Sequence, residues 1–223
     1  PSDYYYWDDY WSVAGLKAAG EMLGNKQYSG TADTLLAAVD ESLTRTGSTI
    51  MPISPYRKPS SASVGCLVAS YPLHLYPARD KRIRETARFL LERCTLNNAL
   101  FHEVSHAGMN PYLSLHLAQT LLRDGKDFSR IVEGVAELAS STGKWPEAVH
   151  PFSGGGCMGD GEHVWAAAEW LLMIRNCFVF EDGKQLVLGK GLYPGWFNRV
   201  SFGYTRTRYG DIKIDAKKTN EGV

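Results

Sequence analysis

Seven stretches with apolar residues at helical spacing follow one another along residues 9–176, and the connections between them alternate short and long. The spacing predicts helices at about 9–23 (Val13, Leu16, Ala19, Leu23), 30–46 (Leu35, Leu36, Val39, Leu43) and 62–76. Further helices are predicted at about 78–94 (Ile83, Ala87, Leu90, Leu91), 111–123, 127–140 (Ile131, Val135, Leu138) and 161–176. Short joints fall at 25–29, at Pro77 and at 124–126, while long ones cover 47–61, 95–110 and 143–160. In an array of antiparallel helices, alternate connections lie at the same end. The long loops should therefore gather on one face, together with residues 4–10. The expected fold class is all-α, with antiparallel helical hairpins over residues 1–176. A β-hairpin tail over 177–223 follows, with strands at 177–180 and 185–188 and again at 200–207 and 211–216.

Charge and cysteine usage remove several function classes. Lys plus Arg equals Asp plus Glu at 24 each, with no basic stripe, so no nucleic-acid partner is expected. No run of about 18 apolar residues suggests a membrane span. The four cysteines, Cys66, Cys94, Cys157 and Cys177, are too widely spaced for a zinc ribbon or a dense disulfide framework. Reduced thiols are expected, which points toward the cytoplasm and otherwise leaves the compartment open. The first residues, PSDYYYWDDYW, do not form a signal peptide and enter a helix almost at once. The chain is expected to begin inside a larger protein.

The chemistry concentrates on the crowded face. The longest loop, GKWPEAVHPFSGGGCMGDGEHVW, is glycine-rich but carries Trp145, Glu147, His150, Asp160, Glu162 and His163. Loops of this length in compact domains are commonly functional. Trp145-Pro146-Glu147 in that loop and Trp7-Asp8-Asp9 at the start of the first helix pair carboxylates with indoles. Glycoside hydrolysis needs two carboxyl groups, one to protonate the leaving oxygen and one to activate water or attack the anomeric carbon. An aspartate at a helix N-terminus can also be an ordinary cap. His102-Glu103 and His106 spell H-E-x-x-H, the pattern of zinc hydrolases, whose two histidines need one face of a stable helix. Gly108 and Asn110-Pro111 cut such a helix short. The alternative use of His102, Glu103 and His106 is hydrogen bonding to hydroxyls in the same pocket. The glycine run at 154–161 lacks the lysine of a phosphate loop and suits close approach of backbone to a ligand. Tyr56-Arg57-Lys58 could bind an anion or a hydroxyl.

These residues resemble the six-hairpin glycosidases, whose catalytic domain is an (α/α)6 toroid. YYYWDDYWSVAGLKAAGEM is similar to the glucoamylase-type segment in which Trp-acid-acid opens an inner helix. WPEAVHP followed by GDGEHVWAAAEWLL resembles the last long loop and last inner helix, and GMNPYLSLHLAQTLL resembles another inner helix. The resemblance spans residues 4–196. It implies a glycoside hydrolase, or a fragment of one, acting by inversion. Asp8 matches the general acid, with Asp9 beside it, and Glu147 matches the general base. Trp7, Trp145, His102, Glu103, His106, His150 and Asp160 would contact a carbohydrate substrate. No cofactor and no metal are implied. The register corresponds to the sixth through twelfth helices of a twelve-helix toroid. The missing half of the barrel, or a second copy of the chain, would then cover the exposed helices. The rival readings are a non-catalytic carbohydrate-binding or scaffold fragment and a zinc hydrolase built on the HEVSH segment.

Overall fold

In a computed structural model, residues 3–103, 107–159 and 161–219 are described. The helices are α1 (Tyr6–Leu23), α2 (Lys26–Arg45), a 3-10 helix (Ser61–Ala69), α3 (Lys81–Arg93), α4 (Pro111–Asp124), α5 (Ser129–Glu137) and α6 (Val164–Phe178). Local chemistry sets several boundaries. Asn25 caps α2 by accepting from Gln27 N–H, and Asp80 caps α3 through Arg82 N–H. Asn110 caps α4 through Leu113 N–H with Pro111 in its first turn, and Gly125 closes it at φ 74°.

The expectation for 62–76 needs correction. That stretch is the shorter 3-10 helix, with every one of its residues buried. Beyond it, the amides of Leu75 and Tyr76 return to the carbonyl of Ala69. Pro72 has no N–H with which to continue a helix.

The all-α expectation also needs correction, because the long loops contain strands. β1 (Thr95–Leu96), β2 (Ala99–His102), β3 (Gly108–Met109), β4 (Ala148–Val149) and β5 (Gly156–Met158) form one small antiparallel sheet in that order. Loop segments remote in sequence satisfy each other's backbone groups in this sheet, a pairing that apolar periodicity does not reveal. Two further hairpins follow α6: β6 (Val179–Asp182) with β7 (Gln185–Leu188), and β8 (Arg199–Thr207) with β9 (Gly210–Lys217). Phe178 stacks on Phe202 at 4.5 Å, which holds the last hairpin against the helices.

The helices form two layers. α1, the 3-10 helix, α4 and α6 stand side by side, with α2, α3 and α5 packed behind them. Tyr6, Tyr10, Leu67, Leu115, Leu117 and Met173 are fully buried between the layers. The two helices at the ends of the inner row are less well covered. α1 exposes Trp11, Met22 and Leu23, and α6 exposes Val164, Trp165, Leu171 and Leu172. No helix among the described residues is long and apolar enough to cross a membrane.

One contact ties the sheet to the outer layer. The β1–β2 turn places Asn97 and Asn98 in left-handed backbone (φ 50° and 61°) directly on α5. A Cβ on Gly134 would lie 2.8 Å from Asn98 Cβ and 2.9 Å from Asn98 O. Alanine favours a helix by about 1 kcal/mol over glycine, but overpacking against backbone costs about 1–3 kcal/mol. Gly134→Ala is therefore expected to lower stability by about 1–2 kcal/mol in urea unfolding. A variant as stable as the parent would show that the turn yields freely.

Candidate active site

The inner helices α1, the 3-10 helix, α4 and α6 all begin at one cleft of about 380 Å³. It is lined by Trp7 and Asp8 from α1, by Val64 and Gly65 from the 3-10 helix, and by Tyr112 and Leu113 from α4. Trp165 of α6, His163 just before it, Glu147 and His102 complete the wall. Four helix N-termini converging on one hollow make the field there positive, which suits carboxylates and electron-rich ligand oxygens.

Helical geometry decides which aspartate reaches the cleft. Tyr6, Tyr10 and Val13 fix the buried face of α1, and each residue turns the helix by about 100°. Asp8 therefore lies nearly opposite Tyr6 and projects into the cleft. Asp9 turns onward to a separate groove against α2, beside Leu35, Val39 and Ser42. Burial, followed by the neighbouring Asp8 charge, raises the Asp9 carboxyl above the usual carboxylate range. The backbone at this point is anchored by Tyr6 N–H donating to Ile53 O at 3.0 Å.

Glu147 is held from several sides. Its N–H donates to Met158 O at 3.2 Å, and it immediately precedes β4. Gly159, at φ 76°, packs against its backbone, where a Cβ would fall 3.5 Å from Glu147 N. Trp145 supplies the anchor. It is 6% exposed, donates from Nε1 to Val135 O at 2.8 Å, and packs on Trp170 at 5.3 Å. Its carbonyl accepts from His163 N–H at 2.7 Å, tying both ends of the loop together.

The remaining residues singled out from sequence fare differently. Trp7 and His102 line the cleft. Trp145 belongs to the core and offers no face to a ligand. Glu103 is exposed and is not part of the cleft wall. His150 is exposed, and its Nδ1 accepts from Phe152 N–H and Ser153 N–H, which makes it a turn-stabilising group. His106 and Asp160 lie outside the described residues. His102 ends strand β2, so the HEVSH segment does not begin on a helix. Among the described residues no group of three or more His, Cys, Asp and Glu could hold a metal ion.

The sequence reading missed an aromatic wall. Tyr112 sits 4.5 Å from His116, 6.1 Å from His163 and 5.3 Å from Trp165. Trp165 is 61% exposed, unusual for so large an apolar ring. Burial pushes the Tyr112 phenol up to about 12, which keeps its hydrogen available for donation. His163 Nδ1 is buried without a hydrogen-bond partner among the described residues. The signal available in the sequence was position: Tyr112 starts α4, and His163 and Trp165 start α6, all at the end of the molecule that carries the carboxylate motifs.

Beneath this wall, Trp7 stacks on His116 at 6.1 Å and 21°. His116 Nε2 lies 3.9 Å from Glu169 Oε2, and Glu169 also accepts from Gln119 Nε2 at 3.0 Å. Burial raises Glu169 to about 7 and lowers His116 to about 4. Around neutrality His116 is therefore uncharged while Glu169 is about half ionised, so no ion pair forms despite their proximity.

No family model matches this chain, and no curated protein matches it. Solved structures do. A glycosidase carrying a Tyr-to-Phe substitution superposes with a TM-score of 0.65 at 16% identity, covering 78% of this chain and 52% of that one. A glycosidase carrying a Glu-to-Ala substitution, in complex with glucose, gives 0.64 at 16% identity with the same coverage. A bacterial glucoamylase complexed with acarbose gives 0.56 at 14% identity, over 77% of this chain and 33% of that one. The chain thus has a glucoamylase-like glycosidase fold and spans about half the length of the glycosidases it matches.

Proposed function

We propose that the cleft hydrolyses a glycosidic bond by inversion, with Glu147 activating water and Asp8 protonating the leaving oxygen. The observation that carries this reading is that two carboxylates from opposite ends of the helical region line one aromatic-walled cleft. Trp7, Tyr112 and Trp165 offer apolar faces suited to the C–H surface of a sugar ring. Tyr112, His102 and His163 offer polar atoms to its hydroxyls. Glu147 is placed on a braced loop, as a general base must be to hold water in one orientation. Asp9 serves as a neighbouring charge and makes no contact with substrate.

The chain would form half of an (α/α)6 toroid, with the inner row as part of its lumen wall. The apolar flanks of α1 and α6 would then be seams for the remaining helices, supplied by a longer parent chain or a second copy. The test is release of free sugar from a panel of oligosaccharides, with this chain and with the longer parent, followed by proton NMR of the first product formed. The expected product carries the anomeric configuration opposite to that of the substrate. A retained configuration would overturn the assignment of Glu147 as a base, since retention places the carboxyls about 5 Å apart with one as nucleophile. Absence of turnover in every form would overturn the enzymatic reading and favour a carbohydrate-binding scaffold.

A further inference from the structure

A second polar cavity, of about 590 Å³, lies at the opposite end of the inner helices from the cleft. It is bounded by the chain that follows the 3-10 helix, by the last turn of α4 and by the β6–β7 hairpin. Its charged lining comprises Arg79, Arg123 and Lys190 against a single carboxylate, Asp182. Arg79 and Lys190 are exposed, whereas the side chain of Arg123 is only 5% exposed.

Arg123 meets the protein through one of its three nitrogens. Its Nη2 sits 2.9 Å from His74 Nδ1 and only 3.4 Å from both the Glu181 carbonyl and Asp182 Oδ1. Asp182 is mostly in water, with its side chain 60% exposed. Nε and Nη1 of Arg123 make no hydrogen bond to any described residue, and both retain access to solvent. A buried guanidinium ordinarily meets a carboxylate or phosphate through two parallel N–H bonds. The rest of its surroundings are rings, with Phe180 at 4.9 Å and Tyr71 at 5.8 Å from the guanidinium carbon.

Three further residues line the same space. Ser70 is one, though its Oγ is closed off from solvent and has no hydrogen-bond partner among the described residues. His74 is held in left-handed backbone at φ 54°, uncommon for a residue with a Cβ. Burial, and then the Arg123 charge, hold His74 below its ordinary value, so its Nδ1 stays an acceptor for Arg123. Lys190 Nζ donates to the Arg123 carbonyl at 2.8 Å, bringing a second positive charge to the same helix end.

We propose that this cavity binds a small tetrahedral oxyanion, phosphate either free or carried as a phosphomonoester, on the unpartnered Nε and Nη1 of Arg123. Arg79 and Lys190 screen the anion's remaining charge at the mouth. Asp182, loosely held and largely solvated, swings into water as the anion enters. The site is separate from the cleft and does not depend on the glycosidase reading.

The experiment is titration of the protein with inorganic phosphate, and separately with glycerol phosphate, at constant ionic strength, read by calorimetry and by thermal unfolding. Saturable one-to-one binding is expected, and at roughly ten times its Kd the ligand should raise the unfolding midpoint by about 3–6 °C. The probe that binds more tightly identifies the source of the phosphate group. Lys190→Gln and Arg79→Gln should each weaken binding by roughly 5–10-fold, and Arg123→Gln should abolish it. If Arg123→Gln fails to fold, the two mouth variants alone decide. No saturable binding of either probe up to about 10 mM would overturn the site. So would affinity unchanged in both mouth variants, which would leave Arg123 as a staple between α4 and the hairpin.

Discussion

Glu147→Gln is expected to lower kcat for glycoside hydrolysis by roughly 10³–10⁴-fold with little change in KM. The amide keeps the size and the loop contacts of Glu147, since the backbone bond to Met158 O and the packing on Gly159 do not involve the carboxylate. What it loses is the ability to take a proton from water. The loss should be the same for every leaving group, because water activation does not depend on how readily the aglycone departs.

Asp8→Asn should behave differently. A proton donor matters most when the departing oxygen is basic, so the variant should lose roughly 10²–10⁴-fold on alkyl glycosides and far less on nitrophenyl ones. This contrast separates the two carboxylates by role. Full activity in Glu147→Gln, with folding intact, would remove the catalytic assignment. Equal losses on both substrate types in Asp8→Asn would remove the proton-donor role.

The second large effect concerns stability. Glu169, raised to about 7 from an ordinary 4.5, holds a proton in the folded protein that the unfolded chain has released. Its contribution therefore falls as pH rises between about 4.5 and 7. His116, lowered to about 4 from an ordinary 6.5, lacks a proton that the unfolded chain binds, so its contribution rises between about pH 4 and 6.5. Each window is worth about 3 kcal/mol. The two nearly cancel in the wild type between about pH 4.5 and 6.5.

Glu169→Gln mimics the protonated acid and can keep the hydrogen bond from Gln119. It should expose the His116 contribution, with stability rising by about 3 kcal/mol between pH 4 and 6.5. Above pH 7 the variant should exceed the wild type by about 3 kcal/mol. Urea unfolding across pH 4–8 measures both. Curves for variant and wild type that run parallel at every pH would show that the pair titrates as it does in the unfolded chain. Because His116 stacks on Trp7, the same variant also reports whether charge at Glu169 is felt at the cleft.

Much of the helical layout was legible. Apolar spacing located buried residues of α2 (Val39, Leu43), α3 (Ile83, Ala87, Leu90) and α5 (Ile131, Val135), and Asn110 and Gly125 marked where α4 starts and stops, but of the face expected on α1 only Val13 is buried and Leu23 is exposed. The 3-10 helix was not legible as such, because a fully buried, small-residue segment carries no polar face from which to read a period. α2 starts at Lys26 and not at residue 30, because Asn25 caps it and the rest of the stretch expected as a joint, 26–29, forms its first turn.

At the site, the Trp-acid-acid and Trp-Pro-Glu motifs pointed to Asp8 and Glu147, but identical local chemistry concealed different fates. Trp7 faces the cleft and Trp145 is an anchor in the core, though each precedes a carboxylate motif. Asp8 and Asp9 are adjacent and chemically alike, yet one turn angle sends them into separate hollows. Tyr112 and His163 lie inside segments that resemble inner helices but carry no catalytic motif of their own.

The sequence by itself determined most of the helical stretches, that long loops alternate with short ones, and hence that distant polar segments share one end of the molecule. These follow from periodicity and chain connectivity, which are local or topological properties. Only the tertiary structure decided which side chains enter the hollow and which are buried as anchors. It also decided that the loops pair into a small sheet and that Glu169 meets His116 in the interior. Those outcomes depend on azimuth around each helix and on contacts between residues far apart in the chain, and neither is written in residue order.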